Sequence, residues 1–281
     1  MKKSILICFL LVSTIVFADC EERSEAFTFI DPTDGKDFSA GLKFYRPASS
    51  IRTPVVFILP PIVGETVLDR TMAQRLCAQG VSAYIVNVVK VLPREEEVSN
   101  LMVHDNSYIR ALAGVRDLIQ ELKKDAKLSG QFGILGTSLG GMLAAFIAGS
   151  EPQISASVII VGGGNVPGIL ANSDQEIIKA QRDERMKLFG LKTINDYEDL
   201  LRSHIPNDPI HVVQNVTPGS MYLFIALGDQ TVPTKYQQEL RRQVPSPYVY
   251  EMYGNHVTGI IKASTLHSNK ILNFFTKKFL K

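Results

Sequence analysis

The chain has 281 residues, 45% of them hydrophobic, enough for a substantial core, and a formal net charge of +2. Lys2 and Lys3 supply that excess, because residues 1–18 hold no acid; the remainder is balanced and lacks a polyanion-binding footprint. Nucleic acid is thereby excluded as a partner.

Residues 1–18 have the layout of an export signal: Lys2 and Lys3 first, then a largely apolar run from Ile5 to Phe17, then Val16-Phe17-Ala18 as a small-residue cleavage site. The run is shorter than the roughly 20 residues of a membrane span. Cleavage after Ala18 leaves residues 19–281, suited to one α/β domain in the periplasm or outside the cell, with no stable membrane span. Cys20 follows Asp19, where a lipid-anchor signal needs a small residue, so no lipid anchor is expected. Cys20 and Cys77 remain after cleavage and can either pair in an oxidising compartment or stay as free thiols.

Phe27 to Ile30 and Gly41 to Tyr45 read as short strands around the turn residues Asp31-Pro32-Thr33-Asp34-Gly35. Val55 to Leu59 is a continuous apolar run, as in a central parallel strand, and ends at Pro60-Pro61. A helix is predicted over Val67–Gln79 with Gly80 as its stop, then a buried strand over Val81–Val89. Lys90 to Val103, with Glu95-Glu96-Glu97, reads as a solvated loop. The spacing of Ile109, Leu112, Val115, Ile119 and Leu122 predicts a helix over His104–Lys124. Phe132–Thr137 and Ile154–Val161 are further strands. Residues 166–217 interrupt the alternation with two or three amphipathic helices, too long for a connecting loop, and read as a helical cap. Strand Met221–Leu227, helix Thr234–Gln243, strand Tyr248–Tyr253 and a last helix from about Val257 complete the chain. The alternation predicts an α/β fold, a doubly wound, mostly parallel central sheet with a helical cap insertion. Such sheets bind ligands beyond the carboxyl ends of their strands.

Gly136-Thr137-Ser138-Leu139-Gly140 lies between one of these strands and a small-residue helix, the context in which a G-x-S-x-G turn exposes a serine hydroxyl. A serine needs a base to become nucleophilic, and the base needs a carboxylate to orient it. Asp229 and His256 each follow a later strand at the same sheet edge, giving the order Ser138, Asp229, His256. The Leu139 N–H is the first expected oxyanion donor. Pro60 and Pro61 have no N–H, which leaves Ile62 or Val63 as the second donor; Ile62 is the preferred candidate, with Val63 beside it facing substrate. Ile169, Leu170, Met186 and Phe189 of the cap either line an apolar acyl pocket or only pack the cap onto the body. The separation of His204 and His211 fits no helical metal-ligand pair, and neither metal nor cofactor is expected.

Gly136-Thr137-Ser138-Leu139-Gly140-Gly141, Gly228-Asp229-Gln230-Thr231-Val232-Pro233 and Gly254-Asn255-His256 make the chain resemble α/β-hydrolase-fold serine hydrolases. In style it is nearest to the dienelactone-hydrolase-like and prolyl-oligopeptidase-like esterase branches. The resemblance spans about residues 27–280 apart from the cap, and it implies Ser138 as nucleophile, His256 as base and Asp229 as carboxylate. The chain departs from the pattern at Pro60-Pro61, where a His-Gly pair is common. The expected activity is cleavage of a small-molecule carboxylic ester. An acyltransferase or peptidase would use the same three residues, and a binding protein on this fold would need none of them.

Overall fold

The computed structural model describes residues 20–48, 51–89 and 94–280. The expected signal segment, residues 1–18, lies outside the described residues. Strands β1 (Cys20–Asp31) and β2 (Lys36–Pro47) form a long hairpin, followed by β3 (Thr53–Leu59), α1 (Val67–Ala78) and β4 (Ser82–Asn87). Then come α2 (Arg94–Ser99), α3 (Val103–Leu122), β5 (Leu128–Thr137), α4 (Leu139–Ser150) and β6 (Ile154–Ile160). Helices α5 (Val166–Asn172), α6 (Glu176–Leu188), α7 (Ile194–His204) and α8 (Pro209–Val212), with a 3-10 turn at Val213–Asn215, fill the segment read as a cap. The chain closes with β7 (Met221–Ala226), α9 (Thr234–Gln243), β8 (Tyr248–Met252), α10 (His256–Ser264) and α11 (Ser268–Phe279).

The strands make one eight-stranded sheet in the order β1-β2-β4-β3-β5-β6-β7-β8. The hairpin and its join to β4 are antiparallel, and every later pairing is parallel. The apolar run of β3 is continuous because both of its faces are covered. Val55, Phe57 and Leu59 face the core layer that includes α3 and α4, while Val56 and Ile58 face the layer that includes α1 and α11. The two cysteines form a disulfide, Cys20–Cys77, tying the start of β1 to the end of α1.

The hairpin strands run longer than the expected Phe27–Ile30 and Gly41–Tyr45, the cap segment holds four helices rather than two or three, and two further elements differ in kind. Residues 94–99 are helical rather than looped. Six residues with three consecutive glutamates cannot sustain a helix alone, but α2 receives an external cap. The fully buried Arg185 of α6 donates from Nε to the Val98 carbonyl (3.1 Å) and from Nη2 to those of Glu97 (2.7 Å) and Asn100 (3.1 Å). A guanidinium on the last carbonyls of a helix satisfies acceptors that otherwise have no partner. The carboxy-terminal helix is likewise two helices, broken at Thr265–His267, where the His267 N–H bonds back to the Lys262 carbonyl.

Candidate active site

Ser138 has φ 57° and ψ −118°, a conformation non-glycine residues rarely adopt, at the sharp turn from β5 into α4. The surrounding backbone holds it there. The Ser138 N–H donates to the Ile160 carbonyl (2.9 Å), and its carbonyl accepts from the Met142 N–H (3.0 Å). The flanking glycines are dictated by space. A Cβ on Gly136 would stand 2.0 Å from the Gly140 carbonyl oxygen, and one on Gly140 would stand 2.0 Å from that of Leu59. The same close approach seats the loop after β3 against the start of α4.

The loops after β7 and β8 are laced together by two backbone bonds, Leu227 N–H to the Met252 carbonyl (2.8 Å) and Gly228 N–H to the Gly254 carbonyl (2.9 Å). That lacing sets Asp229 beside His256. His256 opens α10, whose amino terminus is capped by the Asn255 side chain accepting from the Thr258 N–H (3.0 Å). His256 Nε2 lies 2.9 Å from Ser138 Oγ, and His256 Nδ1 lies 2.7 Å from Asp229 Oδ2. A carboxylate only accepts, so Nδ1 carries the proton and the Nε2 lone pair faces the serine.

Asp229 is fully buried, and both of its oxygens are occupied. Oδ1 accepts from the N–H groups of Thr231 (2.9 Å) and Val232 (3.0 Å). Oδ2 accepts from Gln237 Nε2 (2.9 Å) as well as from His256. The buried Gln237 also donates to the Val232 carbonyl (2.8 Å) and accepts from the Ala226 N–H (3.1 Å), so α9 locks the carboxylate to the end of β7. Sequence reading missed Gln237. The signal was its place beside Tyr236 and three residues before Leu240, on the buried stripe of α9.

A cavity of about 270 Å³ opens beside Ser138, with Ile62 and Leu139 in its wall. The N–H groups of Leu139 and Ile62 donate to no other group of the described residues and remain available to a ligand oxygen. Ile169 and Leu170 of α5, Met142 of α4 and Ile178 of α6 form the apolar wall. The other substrate-facing residues expected from sequence lie elsewhere. Val63 is 78% exposed and does not line the cavity, because the loop turns outward after Ile62. Met186 packs against the core, and Phe189 is 39% exposed at the end of α6. Met186 and Phe189 lie 8 and 11 residues beyond Ile178, about two and three turns farther along α6 and away from the cavity. His204 and His211 also stay outside the cavity.

Helix α3 brings a polar set that sequence reading left unassigned: His104, Ser107 and Tyr108 line the same cavity. Burial, joined by the nearby Arg185 charge and opposed by a hydrogen bond with Gln181, lowers the His104 imidazole to about 4. Burial also pushes the Tyr108 phenol well above its ordinary value, with the charges of Asp208 and Asp105 acting in the same direction. Both are neutral at ordinary pH. Asp208 accepts from the N–H groups of Asn165, Val166 and Ile210, which fixes the entry to α5 and α8. Among the described residues no group of three His, Cys, Asp or Glu side chains could hold a metal ion, and no helix is long and apolar enough to cross a membrane.

The mostly parallel eight-stranded sheet with helices on both faces, and a serine at the turn after a central strand, define an α/β-hydrolase fold. The chain belongs to the dienelactone hydrolase family, whose model matches residues 42–189. That membership supports a hydrolase acting on ester bonds. Among solved structures, a cold-adapted esterase from an Arctic intertidal metagenomic library matches with a TM-score of 0.63 and 13% identity, over 92% of this chain and 94% of the other. The acetyl xylan esterase of Paenibacillus sp. R4 matches with a TM-score of 0.69 and 11% identity, over 92% and 89% respectively. The acylaminoacyl peptidase of Pyrococcus horikoshii matches with a TM-score of 0.69 and 15% identity, over 93% of this chain and 42% of the other. At these identities the likeness is one of fold. No curated protein matches the chain in sequence.

Proposed function

We propose that the chain is an exported serine hydrolase that cleaves carboxylic esters through an acyl-enzyme on Ser138. The observation that carries the reading is the continuous relay from Ser138 Oγ through His256 to the buried Asp229. Ser138 Oγ attacks the ester carbonyl carbon while His256 Nε2 takes its proton. The carbonyl oxygen, now an anion, accepts from the N–H groups of Leu139 and Ile62. The alcohol departs with the proton from His256, leaving the acyl group on Ser138. Water, deprotonated by the same imidazole, then releases the acid. Asp229 stabilises the imidazolium in both half-reactions. The helices of residues 166–217 act as a cap whose α5 and α6 shape the acyl pocket. Export is supported by the leader-like residues 1–18 and by the Cys20–Cys77 disulfide, a bond suited to an oxidising compartment.

The test is fluorophosphonate labelling of the mature protein and of Ser138→Ala, with hydrolysis of nitrophenyl esters from acetyl to palmitoyl. Labelling and turnover that both vanish in Ser138→Ala bear the proposal out. Labelling without ester turnover points to a transferase or peptidase, and folded protein that never labels refutes the acyl-enzyme. The amino terminus of protein recovered outside the cytoplasm should be Asp19.

A further inference from the structure

We infer that the α3 wall of the cavity reads a hydroxyl group, so that the acyl chain taken up beside Ser138 is a hydroxyacyl chain. The inference rests on the esterase reading of the same site and names its substrate class. His104 and Ser107 stand three residues apart on α3, neighbours on one helical face, and both line the cavity. Each presents an acceptor with its own proton already spent. His104 Nε2 lies 3.2 Å from Gln181 Oε1, so Nε2 holds the hydrogen and Nδ1 carries a lone pair. Ser107 Oγ donates to the Val103 carbonyl (2.9 Å), which leaves its lone pairs to accept. No group of the described residues donates to either acceptor. The low basicity of His104 keeps Nδ1 unprotonated at any ordinary pH.

Two unfilled acceptors, together with the Tyr108 hydroxyl that has no partner among the described residues, select the chemistry of the guest on a largely apolar cavity. A carboxylate or an ester carbonyl could accept from Tyr108 but would set acceptor against acceptor at His104 and Ser107, whereas a hydroxyl can donate to these and accept from Tyr108. An ammonium would be repelled by Arg185, whose buried guanidinium bonds, among the described residues, to carbonyl oxygens and the Tyr197 hydroxyl and to no carboxylate. A plain alkyl chain would leave both acceptors dry and unpaired, which is costly for buried polar groups. A neutral O–H satisfies them, while the carbon chain packs on Ile169, Leu170 and Met142.

The experiment compares ethyl hexanoate with the ethyl hydroxyhexanoates bearing the hydroxyl at each carbon in turn, followed by acid release in a pH-stat. The mature protein should favour at least one hydroxy isomer over the plain ester by about tenfold or more in kcat/KM, the upper end of what one neutral hydrogen bond supplies. His104→Phe should bring that ratio close to one, and Ser107→Ala should reduce it. His104→Asn, which keeps an acceptor near the Nδ1 position, should retain it. Fluorophosphonate labelling of each variant reports an assembled site, and Ser107→Ala carries the test if His104→Phe does not fold. Equal turnover of all isomers by the unmodified protein, or a preference that survives in His104→Phe, overturns the inference while leaving the esterase standing. No turnover of any ester together with no labelling overturns both.

Discussion

Replacing Gln237 by Leu removes a side chain that touches neither the serine nor the histidine, yet three buried groups depend on it. The Ala226 N–H and the Val232 carbonyl lose their partners, and Asp229 Oδ2 loses one of two donors. Each neutral backbone group left buried and unpaired costs about 1–3 kcal/mol, so the two together cost about 2–6 kcal/mol. With a urea dependence of about 3 kcal/mol/M, the unfolding midpoint should fall by about 1–2 M. The lost bond to the carboxylate is of the charged kind, worth about 1.5–3 kcal/mol. If half of that is felt in the transition state, through an Asp229 free to rotate away from His256, kcat/KM should fall about three- to tenfold. Urea unfolding followed by far-UV circular dichroism gives the first quantity, and steady-state hydrolysis of a short nitrophenyl ester gives the second. A variant with an unchanged midpoint would refute the assignment of Gln237 as the lock between α9 and β7. An unchanged kcat/KM in a destabilised variant would refute its role in holding Asp229.

Gly140→Ala should cost about 3 kcal/mol or more and abolish fluorophosphonate labelling, because the new methyl meets the Leu59 carbonyl at 2.0 Å and backbone cannot step aside; normal labelling would contradict that packing. Reducing Cys20–Cys77 should lower stability by about 4 kcal/mol, given its sequence separation of 57, and lower Tm by about 8–16 °C. Calorimetry with and without reductant, checked by a thiol count, tests this, and an unmoved Tm would count against it. Asp31 is held below its ordinary value: burial opposes ionisation, but hydrogen bonds from the Thr33 hydroxyl and N–H and the Arg110 guanidinium (2.5 Å) outweigh it. A depressed carboxylate contributes stability above its unfolded value of about 3.9, and this is lost as pH falls through the folded value. Asp31→Asn should therefore be about 3–5 kcal/mol less stable at pH 7, with the gap closing below about pH 4 in urea titrations. A gap of constant size across that range would refute the linkage.

The central parallel strands were readable because each is buried on both faces, which makes its apolar run long and its ends sharp, whereas the marginal β8 is exposed or half-buried along most of its length. The meeting of Ser138, Asp229 and His256 was readable because each follows within four residues of the carboxyl end of a parallel strand, and chain order fixes which sheet edge that is. The residues that complete the site were not, since their roles depend on partners distant in sequence. Arg185 caps α2 from almost ninety positions away, so Glu95-Glu96-Glu97 read locally as solvated loop. His104 announced only the start of a helix, because nothing in α3 itself says that the adjoining cavity has a polar wall. Val63 and Phe189 are hydrophobic and near the right segments in sequence, but Val63 points to solvent and Phe189 stands three turns along α6 from the cavity wall. Ile169 and Leu170 reach the cavity from α5, which starts soon after the glycines that follow β6.

The two halves of the hydroxyl–imidazole pair sit on supports of unequal firmness. Ser138 hangs from β5, which is bonded on both sides, to β3 and β6. His256 hangs from β8, a five-residue strand paired with β7 alone at the margin of the sheet. Margins fray at lower free energy than centres. Warming or mild denaturant should therefore part the imidazole from the serine while the interior strands are still paired. Turnover would then fade before circular dichroism changes, and the enzyme would report the peeling of its own last strand.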